Sequence, residues 1–291
     1  MTLSNSIHPI KYPFLLFFIL YFIIFASLAA KSNTEQDIYK RYQDIRSDDA
    51  MPHQKKDKLL NQLLNQAVSF KNPLYNALII SRLHNSAKLK VGKTESRKWQ
   101  IKYNQALSLI SSEKSQQALK ILANNGHIHA LQNEQKHIAA LKIVLDSFHK
   151  IKNIKSQKKE SIINGQIYIT ELDIAELNNL AGISYFSMGD YDNAQKYFFT
   201  SLHLFEELNA LKGITATLNN LSLISWAQKD FIAALKYLER PLAISQQFDN
   251  SSNYITYIAN HGVYYTELKQ FDNAIVSYKK AINHPQSKLF Y

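Results

Sequence analysis

Imidazole can bind a metal and exchange a proton near neutral pH, so the histidines are the first residues to weigh for chemistry. The chain has ten of them and no cysteine. That absence removes disulfides, thiolate catalysis and cysteine-ligated zinc together. His127, His129 and His137 come nearest to a cluster. His127 and His129 follow the turn-like text Asn124, Asn125, Gly126, which predicts a loop or a helix start, and no spacing ties the nearest acid, Glu134, to the pair as a further ligand. They are read as surface histidines. His261 lies beside a column of small residues and is read as packed or hydrogen-bonded, while His203 and His284 suggest no role. There is no glycine-rich phosphate loop, no HExxH and no nucleophile elbow. No catalytic residue, metal site or cofactor is expected, and the chain is read as a non-enzyme.

The stronger candidates are amides. Asn178, Asn179, Asn219, Asn220 and Asn260 recur in near-equivalent positions of apolar, helix-like text. Asparagine fills a mid-helix site poorly, yet its side chain offers a donor and an acceptor together and can clamp the N–H and C=O of an extended peptide. The alternative is that these amides bridge neighbouring helices or face water. Tyr257 and Tyr264 are further candidates for partner contact, whereas Tyr185 and Tyr265 are mainly packing residues by their repeated positions.

The elements that carry these residues come from a repeat. Ala194, Ala234 and Ala274 are 40 residues apart, inside GDYDNAQKYF, KDFIAALKYL and KQFDNAIVSY. An aromatic precedes each alanine by three, at Tyr191, Phe231 and Phe271, and a large residue follows by four, at Phe198, Leu238 and Tyr278. Upstream, Gly182, Ser222 and Gly262 keep the register, as do Tyr185, Ser225 and Tyr265. Several columns at one period are the mark of a solenoid, in which small residues let helices approach and aromatics fill the space between them. Each unit is predicted to be a helical hairpin, with helices over 174–187 and 191–207, 211–227 and 231–248, and 252–268 and 271–283. Asp230 is placed to cap the fourth of these. Only seven glycines and six prolines occur, which suits many helices joined by short turns.

The pattern resembles the tetratricopeptide repeat, whose small, aromatic, turn, aromatic, alanine and aromatic positions are met by Gly182, Tyr185, Gly189, Tyr191, Ala194 and Phe198. Ser222, Phe231, Ala234 and Leu238 carry the second unit, and Gly262, Tyr265, Phe271, Ala274, Tyr278 and Ala281 the third. Two departures are Pro241 in place of alanine, expected to bend or shorten its helix, and Ser225 in place of an aromatic, with Trp226 beside it to fill the gap in part. The period of 40 exceeds the family's usual 34 and resembles the extended repeats of bacterial regulators and periplasmic sensor regions. The resemblance covers about residues 174–284 and implies an all-α, right-handed superhelical solenoid of antiparallel hairpins. It also implies that the first helix of each hairpin lines a concave surface, where the asparagines would hold a peptide.

Residues 12–30, YPFLLFFILYFIIFASLAA, carry no charge and are nearly long enough as a helix to cross a hydrocarbon core of about 30 Å. Residues 1–30 are therefore read as a signal peptide or a membrane anchor, with small residues at Ser27 and Ala29 favouring cleavage and the length of the apolar run favouring retention. Lys11 before the segment and Lys31 after it leave a weak charge bias that puts the rest of the chain outside. The expected location is the bacterial inner membrane facing the periplasm, or the soluble periplasm after cleavage. Beyond residue 30 the chain divides into a polar tether over 31–51, divergent helical hairpins over 52–172 and the clear repeats over 173–291. Within the middle part, helices are expected near 55–70, 74–88 and 135–150, with a degraded unit over 103–122 around Ala106 and Ala118.

A net charge of +11 invites nucleic acid as a partner, but arginine is rare and the lysines are scattered, the densest group being Lys150, Lys152, Lys155, Lys158 and Lys159 between periodic segments. The expected function is a protein- or peptide-binding scaffold on the periplasmic side. The alternative is the sensory region of a bacterial signalling protein lacking its output domain. The partners expected are a protein or peptide, no nucleic acid, the membrane through the N-terminal segment, and another copy of the chain. No closing helix with a polar outer face follows the last hairpin, which leaves that hairpin to be covered by a partner or a dimer mate.

Overall fold

The computed structural model describes residues 53–69, 93–152, 162–163, 166–247 and 252–284, with parts of 37–45 and 73–83. Within them the elements run α1 (His53–Ser69), α2 (Lys93–Ser108), α3 (Glu113–Asn133), α4 (His137–Ile151), β1 (Ile162–Ile163), β2 (Gln166–Ile167), α5 (Glu171–Ser187), α6 (Tyr191–Glu207), α7 (Leu211–Ala227), α8 (Phe231–Gln247), α9 (Ser252–Glu267) and α10 (Phe271–Ile282). From α3 onward each helix packs against the next in chain order. The pairs α5 with α6, α7 with α8 and α9 with α10 are the predicted hairpins, and α6 with α7 and α8 with α9 join one hairpin to the next. α5 also touches α7, and α7 touches α9, so the first helices of the hairpins form a layer of their own.

Local chemistry sets the helix ends. Thr170 and Asp173 form a capping box: the Asp173 N–H donates to Thr170 Oγ1 at 3.2 Å and the Thr170 N–H donates to Asp173 Oδ2 at 2.9 Å. The box starts α5 three residues before the expected position. Asp190 accepts from the Asn193 N–H at 3.1 Å and Asp230 from the Ala233 N–H at 2.9 Å, so both cap second helices, Asp230 as expected. The three first helices end alike, on a left-handed residue at Gly189, Lys229 and Lys269, with φ of 78°, 63° and 60°. The residue after each donates its N–H back to a carbonyl five before it: Asp190 to Tyr185, Asp230 to Ser225 and Gln270 to Tyr265.

The repeat columns do the packing assigned to them. A Cβ placed on Gly182 would lie 2.5 Å from the Phe198 ring, so only glycine lets α5 and α6 close over that aromatic. Ala194, Ala234 and Ala274 are buried, as are Phe198 and Leu238. Pro241 is also buried, and α8 runs through it to Gln247 instead of being shortened. Ser225 is buried, Trp226 beside it is 37% exposed, and Tyr264 of the following hairpin is buried with its hydroxyl 2.9 Å from Ser222 Oγ. Further upstream one apolar cluster joins Leu63, Leu119, Val144 and Leu177. The expected degraded unit falls on the end of α2 and the start of α3, with Ala106 and Ala118 buried in one apolar cluster, and α4 lies close to the helix expected at 135–150. The two-residue ladder pairing Ile162 with Ile167 ahead of α5 has no counterpart among the expected elements.

The expected location is corrected. Among the described residues no helix is long and apolar enough to cross a membrane. Charged side chains interrupt the described helices on the faces turned from the core, and residues 12–30, on which the anchor or signal peptide was placed, lie outside the described residues. The inner-membrane location, the periplasmic exposure and the membrane as a partner are withdrawn.

Candidate functional site

The expected asparagines fall on the layer formed by α5, α7 and α9, and the structure sorts them into two kinds. Asn178 is buried and donates its amide to the Ile174 carbonyl of its own helix at 2.8 Å. The other four pair across helices. Asn220 of α7 donates to Asn179 Oδ1 of α5 at 3.0 Å, and Asn260 of α9 donates to Asn219 Oδ1 of α7 at 2.9 Å. Asn179 and Asn219 thus point forward along the stack, Asn220 and Asn260 backward. The spacing makes this possible, because adjacent positions on α7 lie about 100° apart around the helix and serve opposite neighbours.

Each bridge uses one arm of an amide. Among the described residues no hydrogen bond engages Asn179 Nδ2, Asn220 Oδ1 or Asn260 Oδ1, and all three side chains are half-buried. A donor and two acceptors therefore remain along the layer. The bridging already satisfies the inward half of each amide, which lowers the cost of holding polar groups at this depth. Thr217 adds a long contact, its hydroxyl 3.5 Å from Asn179 Oδ1.

The tyrosines behave differently from expectation. Tyr257 and Tyr264 are buried, 3% and 1% exposed, and so are not available to a partner. Tyr257 donates to Thr215 Oγ1 at 3.3 Å, and the Tyr264 hydroxyl lies 2.9 Å from Ser222 Oγ. With Asn260 they form three polar bridges at positions 257, 260 and 264 of α9, one face of that helix against one face of α7. Burial raises the Tyr264 hydroxyl above the usual phenol range, with the Ser222 bond pulling the other way, so it stays neutral and can donate. Tyr185 packs as expected, stacked on Tyr197 with centroids 5.4 Å apart, and Tyr197 stacks in turn on Phe148 at 6.1 Å.

Sequence reasoning missed the same chemistry one hairpin earlier. Gln132 of α3 donates to the Leu180 carbonyl and to Ser184 Oγ of α5, each at 2.9 Å, and Asn125 donates to Glu176 Oε2 at 3.2 Å. Asn125 and Gln132 are seven apart, two turns of one helix face, but the expected turn at Asn124-Asn125-Gly126 hid that spacing. α3 runs straight through it. His127 and His129 consequently sit exposed within a helix and not in a loop, and His137 begins α4. Lys136 bonds Glu134 at 2.7 Å and holds its carboxyl below the usual range, while among the described residues no group of three His, Asp or Glu could hold a metal ion. His261 is packed as expected, with Nδ1 3.1 Å from Ser277 Oγ and its ring edge-on to Tyr265 at 4.6 Å. Burial, and then the Lys280 charge, depress its basicity.

Comparison with known proteins addresses this architecture. The tetratricopeptide repeat model matches residues 173–247 and again 213–287. No curated protein matches the chain by sequence. Among solved structures the chain is similar to BtubC (BKLC) from P. vanneervenii, with a TM-score of 0.58 and 16% identity over 83% of this chain and 94% of that one. It is similar to the apo form of RapI, with a TM-score of 0.56 and 14% identity over 88% of this chain and 66% of that one. It is also similar to aspartyl phosphate phosphatase F from Bacillus subtilis, with a TM-score of 0.54 and 11% identity over 88% of this chain and 61% of that one. At such identities the likeness concerns the fold alone. Apart from the short β1–β2 ladder, the described residues form a helical, tetratricopeptide-like solenoid of hairpins, and the repeat model covers residues 173–287.

Proposed function

We propose that the chain is a protein- or peptide-binding scaffold that receives an extended segment along the layer of α5, α7 and α9, through Asn179, Asn220 and Asn260. The observation that carries this reading is the half-used amide row: each of the three is fixed by a cross-helix bond and keeps one arm for an incoming main chain. Fixed amides bind at a lower entropic cost than mobile ones, because their rotamers are already set. Asn178 and Asn219 play supporting parts, the first within its helix and the second as the acceptor that orients Asn260. In this reading residues 173–291 do the holding, and the divergent hairpins within 52–172 extend the stack; Ile38, Tyr42 and Ile45 are buried in the same apolar cluster as Leu63 and Leu119, so that part of 31–51 is packed and is not a tether.

A second reading makes the same layer the sensory region of a bacterial signalling protein. Its support is the likeness to RapI and to a protein named as an aspartyl phosphate phosphatase. Binding would then change the angle between successive hairpins, since the amide bridges lie at the joints.

The test is selection of peptides from a random display library on the full chain, followed by fluorescence anisotropy with a labelled winner. The triple variant Asn179→Ala, Asn220→Ala, Asn260→Ala should lose at least about tenfold in affinity, or about 1.4 kcal/mol. Asn178→Ala, which touches no neighbouring helix through its amide, should bind as the parent does. Equal binding by the triple variant and the parent would sink the proposal. For the second reading, hydrogen exchange at the ends of α7 and α9 should change on peptide addition; unchanged exchange there would refute it.

A further inference from the structure

The amide row is bounded, and its boundary changes the chemistry of the last hairpin. The forward-pointing amide stands at Asn179 and Asn219, but the same column, 40 further on, holds Ala259. Any additional hairpin of the same design would present a backward amide like Asn220 or Asn260 and find no acceptor for it. The rest of that open face has become apolar. The column Gln195, Leu235, Ile275 ends on isoleucine, and the column Lys196, Lys236, Val276 replaces two lysines by valine. In the first two hairpins Tyr191, Phe231 and Leu235 are half-buried. In the third, Phe271 and Ile275 are 59% and 49% exposed, and Val276, in a column exposed in all three hairpins, adds an apolar residue 51% exposed beside them. Several adjacent exposed apolar residues at helical spacing mark an interaction surface.

The charges on α10 indicate what covers it. Asp272 lies in its first turn and Lys279 and Lys280 in its last. An antiparallel copy of the same helix brings Asp272 to the partner helix's terminal lysine pair at both ends, and opposes the two helix dipoles. We infer that the open face of the last hairpin, Phe271, Ile275 and Val276 on α10 with Ala259 and Val263 on α9, is an interface between two copies of this chain related by a two-fold axis. Forward face meets forward face, so no backward amide is left without a partner, which explains the alanine at 259.

The experiment is sedimentation of the full chain over a concentration series. The parent should show a reversible monomer–dimer equilibrium. Ile275→Asp should abolish it while leaving the far-ultraviolet spectrum and thermal melt intact. Asp272→Lys should weaken the dimer at least about tenfold at low salt, and adding Lys279→Glu and Lys280→Glu to the same chain should restore it, a rescue that a role within one copy would not give. Since the chain has no native cysteine, Ile275→Cys should yield a disulfide-linked dimer under mild oxidation. A parent that sediments as a monomer throughout would overturn the inference. So would a parent that dimerises only after residues 285–291 are deleted, because that result makes the chain's own end the occupant of the face.

Discussion

At the scale of single residues, the repeat columns are physical constraints that can be tested one at a time. Gly182 faces the Phe198 ring so closely that any Cβ must displace it. Gly182→Ala should cost about 1–3 kcal/mol by overpacking, measured by denaturant unfolding. The equivalent Ser222 tolerates a side chain because Leu238 replaces the aromatic there and its hydroxyl meets Tyr264. At the turns, Gly189 takes its left-handed conformation freely, but Lys229 takes it with a Cβ. Lys229→Gly should therefore stabilise the chain by about 0.5–1 kcal/mol; a lower melting temperature would count against the turn assignment. His261 makes the pH prediction. Its folded basicity is depressed by burial and by Lys280, so below the ordinary histidine pKa the unfolded chain takes up a proton that the folded chain resists. Stability should fall as pH drops from the ordinary value of about 6.5 toward the depressed folded value, and His261→Gln should flatten that slope.

Individual elements show how far such constraints reach. Pro241 lacks an N–H, yet α8 continues past it, held by burial of the proline in the column that carries Ser201 and Ala281. Pro241→Ala should restore the missing bond to the Tyr237 carbonyl and raise stability by about 1–3 kcal/mol, read as a higher melting temperature; a fall would mean the proline fits a bend the packing needs. The second helices and α7 were legible to within a residue, because the left-handed turns recur with the repeat and aspartates cap α6 and α8. The start of α5 was misplaced even though Thr170 and Asp173 spell a capping box, since the periodic text there begins only at Ile174. The interior of α3 could not be read locally. Asn124 bonds Ser147 and Asn125 bonds Glu176, so contacts with α4 and α5 override a sequence that favours a turn.

For the whole molecule, the hairpin stack was visible in the sequence and its polar joints were visible only as recurring amides. Which amide pairs with which depends on the angle between neighbours, and that angle is set by packing, not by spacing. The tyrosines show the same limit: Tyr257 and Tyr264 carry a chemistry suited to recognition, but the stack turns both inward to bridge α7 and α9. In the proposed function the amide row, bounded by Leu180 at one end and Ala259 at the other, is the surface that receives the extended segment. Nuclear magnetic resonance of the asparagine side-chain amides, with a selected peptide added to the full chain, tests that claim most directly. The account predicts shifts at Asn179, Asn220 and Asn260 with Asn178 unmoved. Shifts confined to Asn193 of α6 or Asn273 of α10, with those three amides silent, would contradict it.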